Sequence, residues 1–145
     1  MKEEAILKAA KKLFSKFGFK KVSMDEIARE AGVTKKTVYA NFSSKEELLN
    51  ELIKYELKSM KDEFESIENK SDDFFEGIEQ GLISLLVFRK KNNLFKVLFE
   101  EAEVLRNKSL VNSIKFIEKD VINYISEKLN KAQKNGYIIF DNIDV

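Results

Sequence analysis

The chain has 145 residues with a formal net charge of +1, and 43% of its residues are hydrophobic and 35% charged, so it can bury a core and is not disordered by composition. It contains no Cys and no His, which excludes disulfides and thiolate metal sites and removes the commonest general base. Proline, the strongest helix breaker, is also absent, which favours an all-helical fold.

Charge is unevenly placed along the chain. Residues 1–50 hold 11 Lys and Arg against 7 Asp and Glu, whereas residues 51–145 hold 15 against 18. A net of +4 followed by a net of −3 suits a polyanion partner for the first segment. The charged N-terminus with periodic apolar residues is typical of neither a signal peptide nor a membrane span, so we expect a cytoplasmic protein.

Two helices are predicted before residue 32. The first runs from about Lys2 to Phe17, with its apolar residues at helical spacing on one face, and Gly18 is placed as its C-cap. The second follows Ser23, which forms the S-x-x-E capping box with Glu26. Gly32 ends it.

Two more helices follow closely. Thr34 is the predicted N-cap of a third helix that reaches about Asn41. A long fourth helix begins at Ser43 or Ser44 and extends to about Ser66, and Ser44 and Glu47 match a second capping box. Its position makes it the expected link between the N-terminal segment and the rest of the chain.

Three further helices are predicted after the polar loop at residues 68–71. They span about 72–90, 93–105 and 108–134, and Gly136 ends the last one. The apolar positions expected on the fifth helix are Phe74, Phe75, Ile78, Leu82, Leu85 and Leu86. The predicted fold is all-α, with a three-helix domain at residues 1–46 joined through the long fourth helix to a helical bundle at residues 47–145.

The segment from Ser23 to Tyr39 has the pattern of a helix-turn-helix. Ala28 and Ala31 are small enough to let two helices cross closely, and Gly32 permits the positive φ of a sharp turn. Polar and basic residues then face outward from the third helix, where Lys side chains can contact phosphates or guanine edges. A solvated basic face is the alternative interpretation of the same lysines.

The stretch from Ala5 to about Leu52 resembles the N-terminal domain of the TetR family of bacterial repressors, and the residues that carry the resemblance are AILKAAKKLFSKFGFKKVSMDEIAREAGVTKKTVYANFSSKEELL. The match is densest over Gly32 to Tyr39 and the following Phe42, Ser44-Lys45-Glu46 and Leu48. It departs at Ala40-Asn41, where members often carry aromatic or His residues.

This resemblance implies roles for individual residues. Lys35, Lys36 and Thr37 are expected in the major groove, and Tyr39 and Lys45 on the DNA backbone. The full set expected at the DNA is Ser23, Thr34, Lys35, Lys36, Thr37, Tyr39, Asn41 and Lys45. Phe14, Phe42 and Leu48 are expected in the core.

The resemblance also implies a mechanism. A homodimer would place two third helices in successive major grooves of a near-palindromic double-stranded DNA operator. A small apolar or amphipathic ligand in the C-terminal bundle would release the DNA by moving the fourth helix. No cofactor, metal site, membrane partner or enzymatic activity is expected.

Aromatic and apolar residues of the bundle are candidates for the ligand pocket, although any helical core would use the same residue types. The candidates are Phe64, Phe75, Ile78, Leu82, Phe95, Phe99, Phe116 and Tyr124. A helical protein-interaction or ligand-carrier module without DNA binding is the rival interpretation of the whole chain.

Members of the family continue with two further helices that form the dimer interface. The run from Gly136 to Asp141 is similar to the segment after the seventh helix, but the 145 residues end soon after it. We therefore expect either a partial chain or a short variant.

Overall fold

The computed structural model describes residues 1–137, which form seven α-helices. They are α1 (Lys2–Phe17), α2 (Met24–Ala31), α3 (Lys35–Asn41), α4 (Lys45–Glu68), α5 (Phe74–Lys91), α6 (Asn93–Leu105) and α7 (Lys108–Lys134). The predicted all-α fold is confirmed, and the predicted helix bounds differ by two residues where α4 continues past Ser66 to Glu68 and where α5 begins at Phe74. Most of the tail predicted to follow Gly136 lies outside the described residues.

Local capping signals explain most of the helix bounds. Both hydrogen bonds of the capping box between Ser23 and Glu26 are present, and Gly32 has φ 71°, as a left-handed C-cap requires. The second predicted box is only half correct. The Ser44 hydroxyl accepts from the Glu47 N–H, but the Glu47 carboxylate accepts from the N–H and hydroxyl of Ser43 instead of returning to Ser44.

The head, which we define as α1 to α3, packs around one face of α1. Ile6, Ala10 and Phe14 are fully buried there, and they meet Ile27 of α2 and Val38 of α3. Burying such side chains contributes about 1.5–3 kcal/mol each for the larger ones, so this small unit depends on that face. The predicted core positions Phe14, Phe42 and Leu48 are confirmed.

Helix α4 carries the head's core into the body, which we define as α4 to α7. Its 24 residues span about 36 Å. Leu48, Leu52 and Leu57 are buried along it, and they belong to the same hydrophobic core as Ile6 in α1 and Ile117 in α7. Head and body therefore share one continuous core.

Helix α5 faces α4 in a way that the sequence pattern did not predict. Its buried residues are small, namely Gly77, Gly81 and Ser84. Of the six apolar residues expected in the core, Phe74, Ile78 and Leu85 are half-buried, whereas three are largely exposed, namely Phe75 at 62%, Leu82 at 49% and Leu86 at 66%. The reason is steric, because the Phe64 ring of α4 occupies the space above Gly81.

Polar contacts join the second half of α4 to α7. Lys61 pairs with Asp120 at 2.7 Å, and Lys128 pairs with Glu68 at 2.9 Å. The Phe64 and Tyr124 rings meet edge to face with their centroids 6.0 Å apart. These contacts hold the second half of α4 against α7.

Candidate nucleic-acid interface

The turn between α2 and α3 is a compact link of three residues, Gly32 to Thr34. The Gly32 N–H donates to the carbonyls of Ala28 and Arg29, and the Val33 N–H donates to Ala28 at 3.0 Å. Thr34 then caps α3 by accepting from the Thr37 N–H at 3.2 Å. The fully buried Val38 anchors the inner face of α3. These bonds fix the angle between the two helices.

The outer face of α3 presents polar and basic side chains to solvent. Thr34, Lys35 and Lys36 are exposed, Thr37 is half-buried, and Tyr39 is 46% exposed. Lys35 lies 3.4 Å from Asp25 of α2, but both side chains are mostly exposed, and such surface pairs contribute little and exchange readily. This face is therefore available to a polyanion.

Two predicted contact residues already have intramolecular partners. The Ser23 hydroxyl accepts from the Glu26 N–H at 3.2 Å and donates to the Glu26 carboxylate at 3.0 Å. The Asn41 amide donates to the Thr37 carbonyl one turn earlier, at 2.8 Å. Both residues are exposed to solvent, so a contact with DNA would have to form in addition to these local hydrogen bonds.

Lys45, which was predicted to contact the DNA backbone, has partners within the protein. Its Nζ donates to the carbonyls of Phe19 at 2.8 Å, Val22 at 3.0 Å and Lys20 at 3.3 Å, which accounts for all three ammonium hydrogens. It also lies 4.3 Å from the centre of the Phe19 ring. Partial burial lowers the pKa of Lys45, although nearby carboxylates oppose that shift. In this arrangement Lys45 holds the protein's own backbone.

The start of α4 lies next to the loop between α1 and α2, whose carbonyls Lys45 contacts. Glu47 is held at this helix end by the two groups of Ser43, and those hydrogen bonds lower the pKa of the Glu47 carboxyl. A carboxylate in the first turn of α4 also interacts favourably with the positive end of the helix dipole. The helix end is thus fixed without any outside partner.

Known proteins share this arrangement. The family model described as "Bacterial regulatory proteins, tetR family" matches residues 6–52. The HTH-type transcriptional regulator YhgD of Bacillus subtilis (strain 168) is 34% identical over 137 residues, which cover 94% of this chain and 72% of YhgD. The chain belongs to the TetR family. It is accordingly a helix-turn-helix transcriptional regulator, and its helix-turn-helix is formed by α2 and α3.

Solved structures of regulators extend the likeness over the body. A TetR family transcription regulator from Shewanella sp. PV-4 is 27% identical, with a TM-score of 0.71 over 94% of this chain and 72% of that one. A Clostridium perfringens protein named as a fatty acid metabolism regulator is 26% identical, with a TM-score of 0.69 over 95% and 74% of the two chains. The matched proteins are named as regulators, not as enzymes.

The candidate ligand residues of this TetR-family chain do not surround one cavity. Phe64 and Phe95 are buried in the core, while Ile78, Phe99 and Tyr124 are half-buried. The remaining three, Phe75, Leu82 and Phe116, are exposed by 44% or more. Their spacing along the chain identified apolar residues but not the side of each helix that faces inward.

Two cavities open beside α4. One of about 570 Å³ lies between α1, α4 and α5, where Leu7, Tyr55 and Phe88 form apolar walls beside the buried Glu56. The other, of about 440 Å³, lies between α4 and α7, and Phe116 is the only ligand candidate that lines either of them.

Within residues 1–137 no helix is long and apolar enough to cross a membrane, and no cluster of three or more carboxylates could hold a metal ion.

One contact between body and head was not predicted from the sequence. The Glu101 carboxylate of α6 accepts hydrogen bonds from the backbone N–H groups of Phe19 and Lys20. These partners lie about 80 positions apart in the chain, so no local pattern could have indicated the pair. A further bond joins the Asn93 amide to the Ser15 carbonyl at 2.9 Å.

Proposed function

We propose that this regulator is a repressor that binds a near-palindromic DNA operator as a homodimer and leaves it when a small amphipathic ligand binds the body. The observation that carries the DNA contact is the outer face of α3, where Lys36 is exposed without a partner among residues 1–137 while Val38 fixes the inner face. Two such faces would enter major grooves roughly 34–36 Å apart. The proposed site of action is the cytoplasm.

The proposed roles of the residues on the outer face of α3 follow from their exposure to solvent. Lys36 and Lys35 are proposed to reach base edges or phosphates, Thr37 and Thr34 to line the groove, and Tyr39 to donate its hydroxyl to a phosphate. Lys45 is proposed to act indirectly, by holding the loop before α2. The proposed division at residues 46 and 47 separates the groove-reading part from the ligand-responsive part.

Salt-dependent DNA binding tests the first half of the proposal. Fluorescence anisotropy with the upstream intergenic DNA should show binding that weakens steeply as salt rises, because lysine contacts release counterions. Lys36→Ala should weaken operator binding about fivefold or more and, if it holds a phosphate, reduce the salt slope by about 1. Lys115→Ala, an exposed lysine of α7, is the matched control.

Absence of DNA retention at low salt would refute the regulator's proposed operator contact and favour the rival interaction or carrier module. Equal effects of Lys36→Ala and Lys115→Ala would refute the assignment of α3 as the contact face. Light scattering on the free protein tests the homodimer directly. A monomer that binds a single half-site would overturn the proposed spacing of two heads.

The ligand half of the proposal rests on the cavities beside α4 and on the name of the Clostridium perfringens relative. Both cavities fall within the size range of small-molecule sites, about 300–1,000 Å³. We propose an acyl chain with a charged head group as the ligand class, with Phe116 as the retained contact. A ligand can release DNA only through its different affinity for the two conformers.

Palmitate is the first probe. If it binds, it should raise the thermal midpoint and stabilise the fold by about 2.7 kcal/mol at a hundredfold excess over its dissociation constant. It should also release operator DNA, and an uncharged alkyl glucoside controls for detergent effects. Stabilisation without DNA release would refute the regulatory role of this ligand class. The absence of stabilisation would refute the proposal that the body binds an acyl chain with a charged head group.

A further inference from the structure

The loop between α1 and α2, residues 18–22, is held by a carboxylate of the body. Glu101 of α6 accepts from the Phe19 N–H through Oε2 at 2.6 Å and from the Lys20 N–H through Oε1 at 2.9 Å. Both carboxylate oxygens are used, one for each successive amide. Hydrogen bonds to a charged acceptor are about twice as strong as neutral ones, so this is a firm attachment.

Gly18 makes the close approach of this carboxylate feasible. It has φ 84°, a left-handed conformation that side chains disfavour. A Cβ atom at Gly18 would lie 3.0 Å from Glu101 Oε2 and 3.2 Å from its carboxyl carbon. The same glycine therefore ends α1 and leaves room for the acceptor from α6.

A charge of opposite sign holds the other side of the loop. Lys45 at the start of α4 donates to three of the loop's carbonyls, as described above. The loop thus donates two amide hydrogen bonds to the carboxylate of Glu101 on α6, and three of its carbonyls accept hydrogen bonds from the ammonium group of Lys45 on α4. Since Phe19 and Val22 are also buried, the loop has little freedom of its own.

We propose that Glu101 is a positioning residue for operator recognition, which sets the angle of the α2–α3 unit relative to the body through the backbone of Phe19 and Lys20. This inference rests on the proposed operator binding. The loop leads directly into Ser23, the N-cap of α2, and the bonds of the turn join α2 rigidly to α3. A shift of α6 is therefore passed to the reading unit by hydrogen bonds as well as by packing.

Glu101→Gln tests the proposal with little change in volume. The amide keeps one acceptor oxygen but loses the charge and the second acceptor, so the Phe19 and Lys20 amides should exchange hydrogen at least about tenfold faster. Glu103→Gln is the matched control, since Glu103 is exposed on the same helix. Amide exchange by NMR reports whether the attachment exists, whatever the protein does with DNA.

Operator spacing reports whether the attachment positions the heads. Affinity should be compared for the footprinted operator and for versions with one base pair added or removed between half-sites. Wild-type protein and Glu103→Gln should prefer the natural spacing, while Glu101→Gln should bind it about tenfold more weakly and lose most of the preference. A purely stabilising residue would lower affinity for all spacings in proportion.

The outcomes separate this inference from the proposed function. Wild-type protein that binds no operator refutes the proposed function, and the positioning role with it. Wild-type protein that binds with a spacing preference, together with a Glu101→Gln variant that keeps the same preference, refutes the positioning role alone. Unchanged amide exchange in Glu101→Gln would show that the carboxylate does not hold the loop.

Discussion

Gly81 lies where α5 crosses α4, directly beneath the ring of Phe64. A Cβ atom at this position would lie 2.6, 2.9 and 2.9 Å from three ring carbons, all closer than real contacts allow. The ring cannot easily move away, because it is 4% exposed and lies edge to face against Tyr124. Gly81→Ala is therefore expected to destabilise the fold.

The size of the effect comes from two opposing contributions. Overpacking a filled site costs about 1–3 kcal/mol. Replacing a helical glycine by alanine returns about 1 kcal/mol of helix propensity. The expected net loss is about 1 kcal/mol, which lowers the thermal midpoint of a chain of this size by about 3 °C.

A double-mutant cycle isolates the clash from the propensity gain. Phe64→Leu alone should cost about 1–2 kcal/mol, because it removes buried ring atoms. In the double variant the new methyl group occupies part of the vacated space, so the two losses should not add, with a favourable coupling of about 1 kcal/mol. Chemical denaturation of the four proteins gives each free energy of unfolding.

Two results would refute this reasoning. If Gly81→Ala raises the free energy of unfolding by the full propensity gain, the close contact does not exist. If the losses of the single variants simply add, the methyl group and the ring do not meet. Neither result would bear on DNA binding, because this contact lies in the body.

Two further expectations concern the N-cap of α4 and Tyr124 of α7, which packs against Phe64 in the second half of α4. Ser44→Ala removes the N-cap of α4 and should lower the free energy of unfolding by about 1 kcal/mol. The control is Ser66→Ala at an exposed position of the same helix. Equal effects of the two substitutions would show that the cap does not stabilise the fold. Burial, together with the neighbouring Glu65, raises the pKa of Tyr124, so the stability from its neutral phenol is complete below about pH 10 and is lost as pH rises through the folded value. Absorbance titration near the phenolate maximum should show a late-ionising phenol that disappears in Tyr124→Phe, and its persistence there would contradict the assignment.

The parts of the fold that the sequence predicted are those governed by neighbours in the chain. Ser23 with Glu26 and the left-handed Gly32 are local signals, and they located α2 and its turn correctly. The spacing of Phe14 and Leu48 identified core positions because an α-helix buries one stripe. The exposed outer face of α3 followed from the same periodicity.

The parts that could not be predicted depend on distant residues. Helix α5 has large apolar residues on one side and small ones on another, and only the position of Phe64 decides that the small side faces α4. The partners of Lys45 and Glu101 are backbone groups of a loop, which carry no sequence signature. For that reason a lysine expected on DNA is found on the protein's own carbonyls.

The core that head and body share limits where the chain can be cut to make a chimera with a related protein. A chimera that joined this head to a foreign body at residue 46 would sever the core just before Leu48, Leu49 and Leu52, all of them almost fully buried. The chimera would lack those side chains, and the foreign residues in their place would have to pack against the core of this head, whereas the matched segment ending at residue 52 keeps them with α1. The transplantable unit is therefore the head together with the first two turns of α4, and specificity swaps should be cut there.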